Sequence, residues 1–378
     1  MKKKSFNTIQ HTLVRVCIIL LSTISCNMHM DVPGQPADQS KFSVENDSFV
    51  IGESIACKNL QIIPLIGNET LENQEYMILS EVIRHKDVVV EETGNVNQLS
   101  ISNNTDDYIF ILAGDILKGG KQDRTIGYDV IIPPHTKHVP LESFCVESGR
   151  WQKRGHEEVN KFSDNTKMLS SRDLKLASRY EKNQSAVWRK VSEKQDKLNK
   201  NLAEMKGEDV DVRSDESGTS LQLTLESKEL VEVINEYKNE LKELNDLPDN
   251  TIGFAYAING QIYGMDIYLN SNLFSKLQFR LFDAIIAEAI SEHEKDSSFV
   301  AAKAEMVNEI IQKLSACEAR ESRVNEHTME RVYEADDAVM FETIDMTQGQ
   351  TWVRKNYISK GDYDAGFGQD DQELIQRR

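Results

Sequence analysis

The segment Gly114-Asp115-Ile-Leu-Lys118-Gly119-Gly120-Lys121-Gln122-Asp123-Arg124 concentrates chemistry-bearing side chains at close spacing. Paired glycines let a backbone approach a ligand or take positive φ. Lys118, Lys121 and Arg124 can hold an anion, the arginine through two parallel hydrogen bonds. Asp115 and Asp123 can hold ribose hydroxyls, a cation or those same basic groups. A second polar block follows at Glu147, Arg150 and Trp151. Read together, Asp115, Lys118, Gly119, Gly120, Gln122, Asp123, Arg124, Glu147, Arg150 and Trp151 form a candidate site for a small anionic ligand. In an enzyme, Asp115, Asp123 or Glu147 would act as general base and Arg124 would stabilise developing negative charge. The plainer alternative is a Gly-Gly turn with solvated charges, with Arg150 paired to Asp115 or Asp123.

Known signatures narrow the chemistry. Gly114 to Gly119 has the gap of a phosphate-binding P-loop, but Gly120 stands where lysine belongs and neither Ser nor Thr follows Lys121. The chain carries no HExxH motif and no nucleophile elbow. Asp266 sits in an apolar strand-like run, on one face with Ile262, Gly264 and Tyr268, so it needs a partner and is expected to meet the Lys/Arg cluster. His135 and His138 would point to opposite faces of a strand and read as surface histidines. Asp362, Asp364, Asp370 and Glu373 have calcium-loop-like offsets, but Phe367 replaces the needed glycine, and the segment reads as a solvated tail. Neither a metal nor a cofactor is expected.

A family resemblance rests on these blocks. The run LAGDILKGGKQDRTIGYDVIIPP, with PLESFCVESGRW after it, resembles the signature of the ARG and rhodanese-phosphatase-superfamily-associated protein domain. The likeness extends back to Leu60-Gln-Ile-Ile-Pro-Leu65 and forward through Ser185-Ala-Val-Trp188 to Gly264-Met-Asp266. The family is named for the genes and domains it accompanies, ADP-ribosylglycohydrolases among them. The resemblance implies a nucleotide or ADP-ribose type of ligand and establishes no reaction.

These blocks need elements to position them. From Ile55 the texture is β, with short apolar runs at Leu60–Ile66, Val88–Val90, Leu99–Ile101, Tyr108–Leu112, Tyr128–Ile132 and Val139–Val146, parted by turn residues. Residues 152–250 change to helical spacing, with a charged linker at 206–220. Asn259-Gly260 between two alternating runs predicts a type I′ hairpin. Helices follow at Leu273–His293 and Val300–Cys317, then closing strands at Val339–Thr343 and Gln350–Arg354. The expected fold is α+β: an antiparallel β sandwich or barrel-like unit with a long helical insertion and C-terminal helices. The expected division is a signal peptide at 1–25, a tether at 26–44, the family-like domain at 45–300 with its insertion at 152–250, and C-terminal elements with an acidic tail at 301–378.

Charge and the N-terminus bound the setting. A net charge of −18 over 378 residues argues against nucleic acid as a partner. Lys2, Lys3, Lys4 and Arg15 precede the apolar run Val16–Leu21, which is short for a membrane span, and Ser25-Cys26 follows. This resembles a bacterial lipoprotein signal, with Cys26 lipidated and the chain held to a membrane of the cell envelope. A plain signal peptide or an uncleaved anchor fits the same run. Cys57, Cys145 and Cys317 remain, too few and too widely spaced for a disulfide framework. Three functions follow: a membrane-anchored binding module, a hydrolase of a phosphate- or ribose-bearing molecule, or an envelope interaction protein docking through residues 169–244.

Overall fold

Asn259 and Gly260 both take positive φ, 50° and 80°. A two-residue type I′ turn needs that geometry, and it joins Thr251–Ile258 antiparallel to Gln261–Tyr268. The structure, a computed structural model, describes residues 42–363 except 45–46, 68–73, 84–85, 158, 161, 296–299, 348 and 362. The expected signal peptide, Cys26, the tether up to residue 41 and the tail from residue 364 lie outside the described residues.

The hairpin forms the middle of a ten-stranded antiparallel sheet. Leu60–Gly67 pairs with its first strand and Thr351–Ser359 with its second. Beyond Thr351–Ser359 come Ala338–Asp345, Thr328–Glu334 and Ala319–Arg323. A second β unit holds the signature blocks. Its six-stranded sheet runs Phe162–Leu169, Asp115–Gly119, Arg124–Ile126, Thr136–Cys145, Gln98–Asn103, Val88–Asn95. A three-stranded sheet of Val130–Ile132, Ile109–Ile111 and Met77–Ile78 closes over it. Leu99, Ile101, Leu117, Ile126 and Leu141 from the first sheet share one core with Ile109, Ile111, Val130 and Ile132 from the second. The α+β class and the barrel-like antiparallel unit are as expected.

Helices bind the two β units together. Asn270 caps Ser271–Ser291 by accepting from the Leu273 N–H at 2.8 Å. This helix packs on Thr251–Ile258 on one side and Phe162–Leu169 on the other. Its Leu273, Phe274, Leu277 and Leu281 join Phe254 in the largest core. Gln184–Lys206 starts at the Asn183 cap, ends at Gly207 with φ 72°, and packs against Ser271–Ser291. On the opposite face of the large sheet, Val307, Ile311 and Leu314 of Glu305–Ser315 cover Phe49, Ile63, Leu65 and Met265. No described helix is long and apolar enough to cross a membrane.

The insertion differs from its helical reading at its start. Phe162–Leu169 is a strand paired with Asp115–Gly119. Then Arg172–Lys175 runs into a single π turn, Leu176–Tyr180. The helices proper are Gln184–Lys206, Leu221–Leu225 and Lys228–Glu240.

Candidate functional site

Gly119 and Gly120 turn the chain with φ of 118° and 57°. A side chain at Gly120 would overlap the Phe162 ring, 2.4 Å from an ideal Cβ, so glycine is required there. The turn aims both glycine carbonyls at Arg150, whose Nη1 donates to Gly120 O at 3.1 Å and Nη2 to Gly119 O at 3.4 Å. Arg150 also grips Glu147 with Nε at 2.7 Å and Nη2 at 2.7 Å, the two-pronged geometry of a strong charge-assisted pair. Glu147 accepts further from the Asp123 N–H at 3.1 Å and the Ser217 hydroxyl at 2.5 Å. Burial pushes the Glu147 carboxyl up, but Arg150, Ser217 and the Asp123 N–H outweigh it and hold the group below its ordinary range.

Asp123 lies under this layer, fully buried. Arg154 donates to it twice, at 2.8 and 3.1 Å, and Ser220 donates at 2.7 Å. The Gly119 N–H supplies a fourth bond at 2.9 Å. Gln122 donates to the Glu147 carbonyl at 2.8 Å. The Arg150–Asp123 pairing anticipated from sequence is present at 3.6 Å, outside hydrogen-bond range. Both carboxylates therefore have every oxygen engaged.

The rim of the loop is different. Trp151 is 43% exposed. The Lys121 ammonium stands 4.9 Å from its ring centre and the Arg124 guanidinium 5.6 Å. Arg124 is buried and pairs with Glu92 at 3.4 Å, and its Nε has no hydrogen-bond partner. The Lys121 side chain makes no ion pair among the described residues.

Other candidates stand apart. Lys118 is held by Glu226 at 2.6 Å. Asp115 is buried and paired with Arg280 of helix Ser271–Ser291 at 2.5 Å, and its second oxygen accepts from the Leu112 N–H. Asp266 does not meet the Lys/Arg cluster. Arg354 donates to it through Nε at 2.7 Å and forms an ion pair with it through Nη2, and Asn356 donates at 3.2 Å. The reason is register: Asp266 lies directly opposite Asn356 on the neighbouring strand, two positions from Arg354. His135 and His138 are exposed, near Asp106 and Glu91 respectively. Cys57, Cys145 and Cys317 are free thiols, and burial pushes the first two up to about 12.

Two parts of the architecture were not legible as site residues. Asp129 accepts from Ala113 N–H at 2.7 Å, Arg354 at 2.8 Å, Thr343 at 2.6 Å and Arg179 at 3.2 Å. It thereby ties the β unit, the π turn and the large sheet together. Arg154, Ser217 and Ser220 complete the loop network; the serines come from what reads as a charged linker. Their only sequence signal is composition, since hydroxyls and one arginine announce no partner.

A family model matches residues 48–358: the ARG and Rhodanese-Phosphatase-superfamily-associated Protein domain. The chain belongs to this family. Both signature blocks, the helical segment and the closing strands to residue 358 fall within the family domain. No curated protein and no solved structure matches the chain.

Proposed function

We propose that the chain is a membrane-tethered binding module for a small phosphate- or ribose-bearing ligand, docked on the rim of the GGKQDR loop. The observation that carries this reading is Trp151, an exposed indole held beside Lys121 over a fully ion-paired base. Aromatic faces stack on bases of any identity, and an unpaired ammonium next to the ring suits phosphate. The buried base keeps the rim in place before binding, which lowers the ordering cost of association. Asp123 and Glu147 have their oxygens occupied, which favours binding over proton abstraction. The family's name, with its ARG and rhodanese-phosphatase association, supports the ligand class.

Titration calorimetry with ADP-ribose, AMP and inorganic phosphate tests this. Trp151→Ala and Lys121→Gln are each expected to weaken ADP-ribose binding about tenfold or more, in keeping with ~1–3 kcal/mol for base–aromatic stacking. Both positions are solvent-facing, so the unliganded melting temperature should barely move. Equal affinity in wild type and both variants would remove the rim from the site.

The tether has its own test. The basic run, the short apolar run and Ser25-Cys26 support lipidation at Cys26. Metabolic labelling with an alkyne fatty acid in a bacterial host should mark the wild type and not Cys26→Ser. A labelled Cys26→Ser chain, or an unlabelled wild type, would contradict it.

A further inference from the structure

A groove of about 590 Å³ opens between the same β unit, Lys182 after the π turn and the end of strand Ala319–Arg323. Tyr128, Val130, Pro140, Glu142 and Phe144 line it, and all five stand in the two signature blocks. The groove collects side chains that the loop network does not use. Volumes of this size are typical of small-molecule sites.

We propose that this groove is a second ligand site, for a hydroxyl-rich small molecule carrying one carboxylate, of the sugar-acid class. Two cations and one carboxyl face the groove: Lys182, Arg323 and Glu142. Neither cation pairs with a carboxylate among the described residues. The Lys182 ammonium stands 4.8 Å over the Tyr128 ring, interacts with the Tyr128 hydroxyl and feels Glu142 and Glu330 only at longer range, and Arg323 donates only to carbonyls of its own turn. One ligand carboxylate would balance that surplus charge. Asn97 and Gln98 line the groove too, with side-chain amides that bond to nothing else among the described residues. An amide offers donors and an acceptor together, which suits neighbouring hydroxyls. Pro140 contributes an exposed apolar ring that a sugar face can cover.

Glu142 sharpens the prediction. Burial lifts its carboxyl above the ordinary value; Lys182 pulls the other way and buried Glu330 adds to the lift. Its charge opposes a ligand carboxylate, so removing that charge should help an acid and leave a neutral sugar unaffected.

The experiment is titration of the full-length chain with D-glucuronate, with D-glucose as the neutral comparison. Glucuronate should bind at least about tenfold more tightly than glucose, a ratio readily resolved in affinity. Lys182→Gln and Arg323→Gln, each checked for an unchanged melting curve, should each erase most of that preference. Glu142→Gln should tighten glucuronate binding and leave glucose binding unchanged. Trp151→Ala should leave it unaltered, which separates this site from the loop rim. Absent glucuronate binding, equal binding of glucose, or indifference to both cation variants would overturn the proposal.

Discussion

Asp129→Ala is expected to cost about 3–5 kcal/mol of folding stability, the range for stripping one partner from a buried ion pair. Domains carry only about 5–15 kcal/mol in total, so the folded yield should fall sharply. Asp129 is 1% exposed and neutralises two buried arginines at once, Arg179 and Arg354. Arg179 keeps Glu330 at 2.6 Å and Arg354 keeps Asp266, so neither is abandoned completely. The Ala113 N–H and Thr343 hydroxyl would nevertheless lose their acceptor. Urea denaturation of wild type and variant measures the difference. A change below about 1 kcal/mol, the scale of an exposed pair, would contradict the assignment.

The same residue sets an acid limit. Burial would raise the Asp129 carboxyl, but Arg179, Arg354, Thr343 and the Ala113 N–H hold it well below the usual carboxylate range. A carboxylate lowered in the folded state stabilises above its unfolded pKa of about 3.9 and loses that contribution as pH falls through the folded value. Glu147 acts in the same direction. Glu330 acts oppositely, since burial raises it despite Arg179. Stability should therefore fall below about pH 4 in the wild type, and Asp129→Asn should flatten that limb.

Asp123→Ala is the second large effect, again about 3–5 kcal/mol. It would leave Arg154 buried with Glu157 at 2.9 Å and Glu147 at 3.6 Å as its remaining carboxylates, and would free Ser220 and the Gly119 N–H. The loss should also loosen the Gly119-Gly120 turn and the rim above it. Adding Arg154→Ala to Asp123→Ala should cost clearly less than the sum of the two single variants, because the two side chains form one unit. Additive losses, read by the same denaturation, would show that the pair is not coupled.

Much of the fold was written in local pattern. Asn259-Gly260 announced its hairpin, and the spacing of Leu273, Leu277 and Leu281 announced the central helix. Phe162–Leu169, Ala319–Arg323 and Thr328–Glu334 did not read as strands because their sequences, FSDNTKML, ARESR and TMERVYE, are polar and carry weak alternation. Their strand state comes from pairing with partners far along the chain, which no local window contains. The clustering of Gln122, Asp123, Glu147 and Arg150 was legible in the sequence, but their pairing was not. The density of Gly119 to Arg124 pointed to a turn, which the backbone makes at Gly119 and Gly120, yet nothing local says that Asp123 chooses Arg154, or that Asp266 faces Arg354. Tyr128 and Glu142 lay inside the same blocks and passed as ordinary strand residues.

The most direct test of the loop rim as a ligand site is the indole N–H resonance of Trp151, followed by nuclear magnetic resonance while ADP-ribose is added. The signal should move saturably, with Lys121→Gln weakening the response, while the signals of Trp188 and Trp352 stay in place. An unmoved Trp151 signal at ligand concentrations that saturate any binding seen by calorimetry would contradict the account.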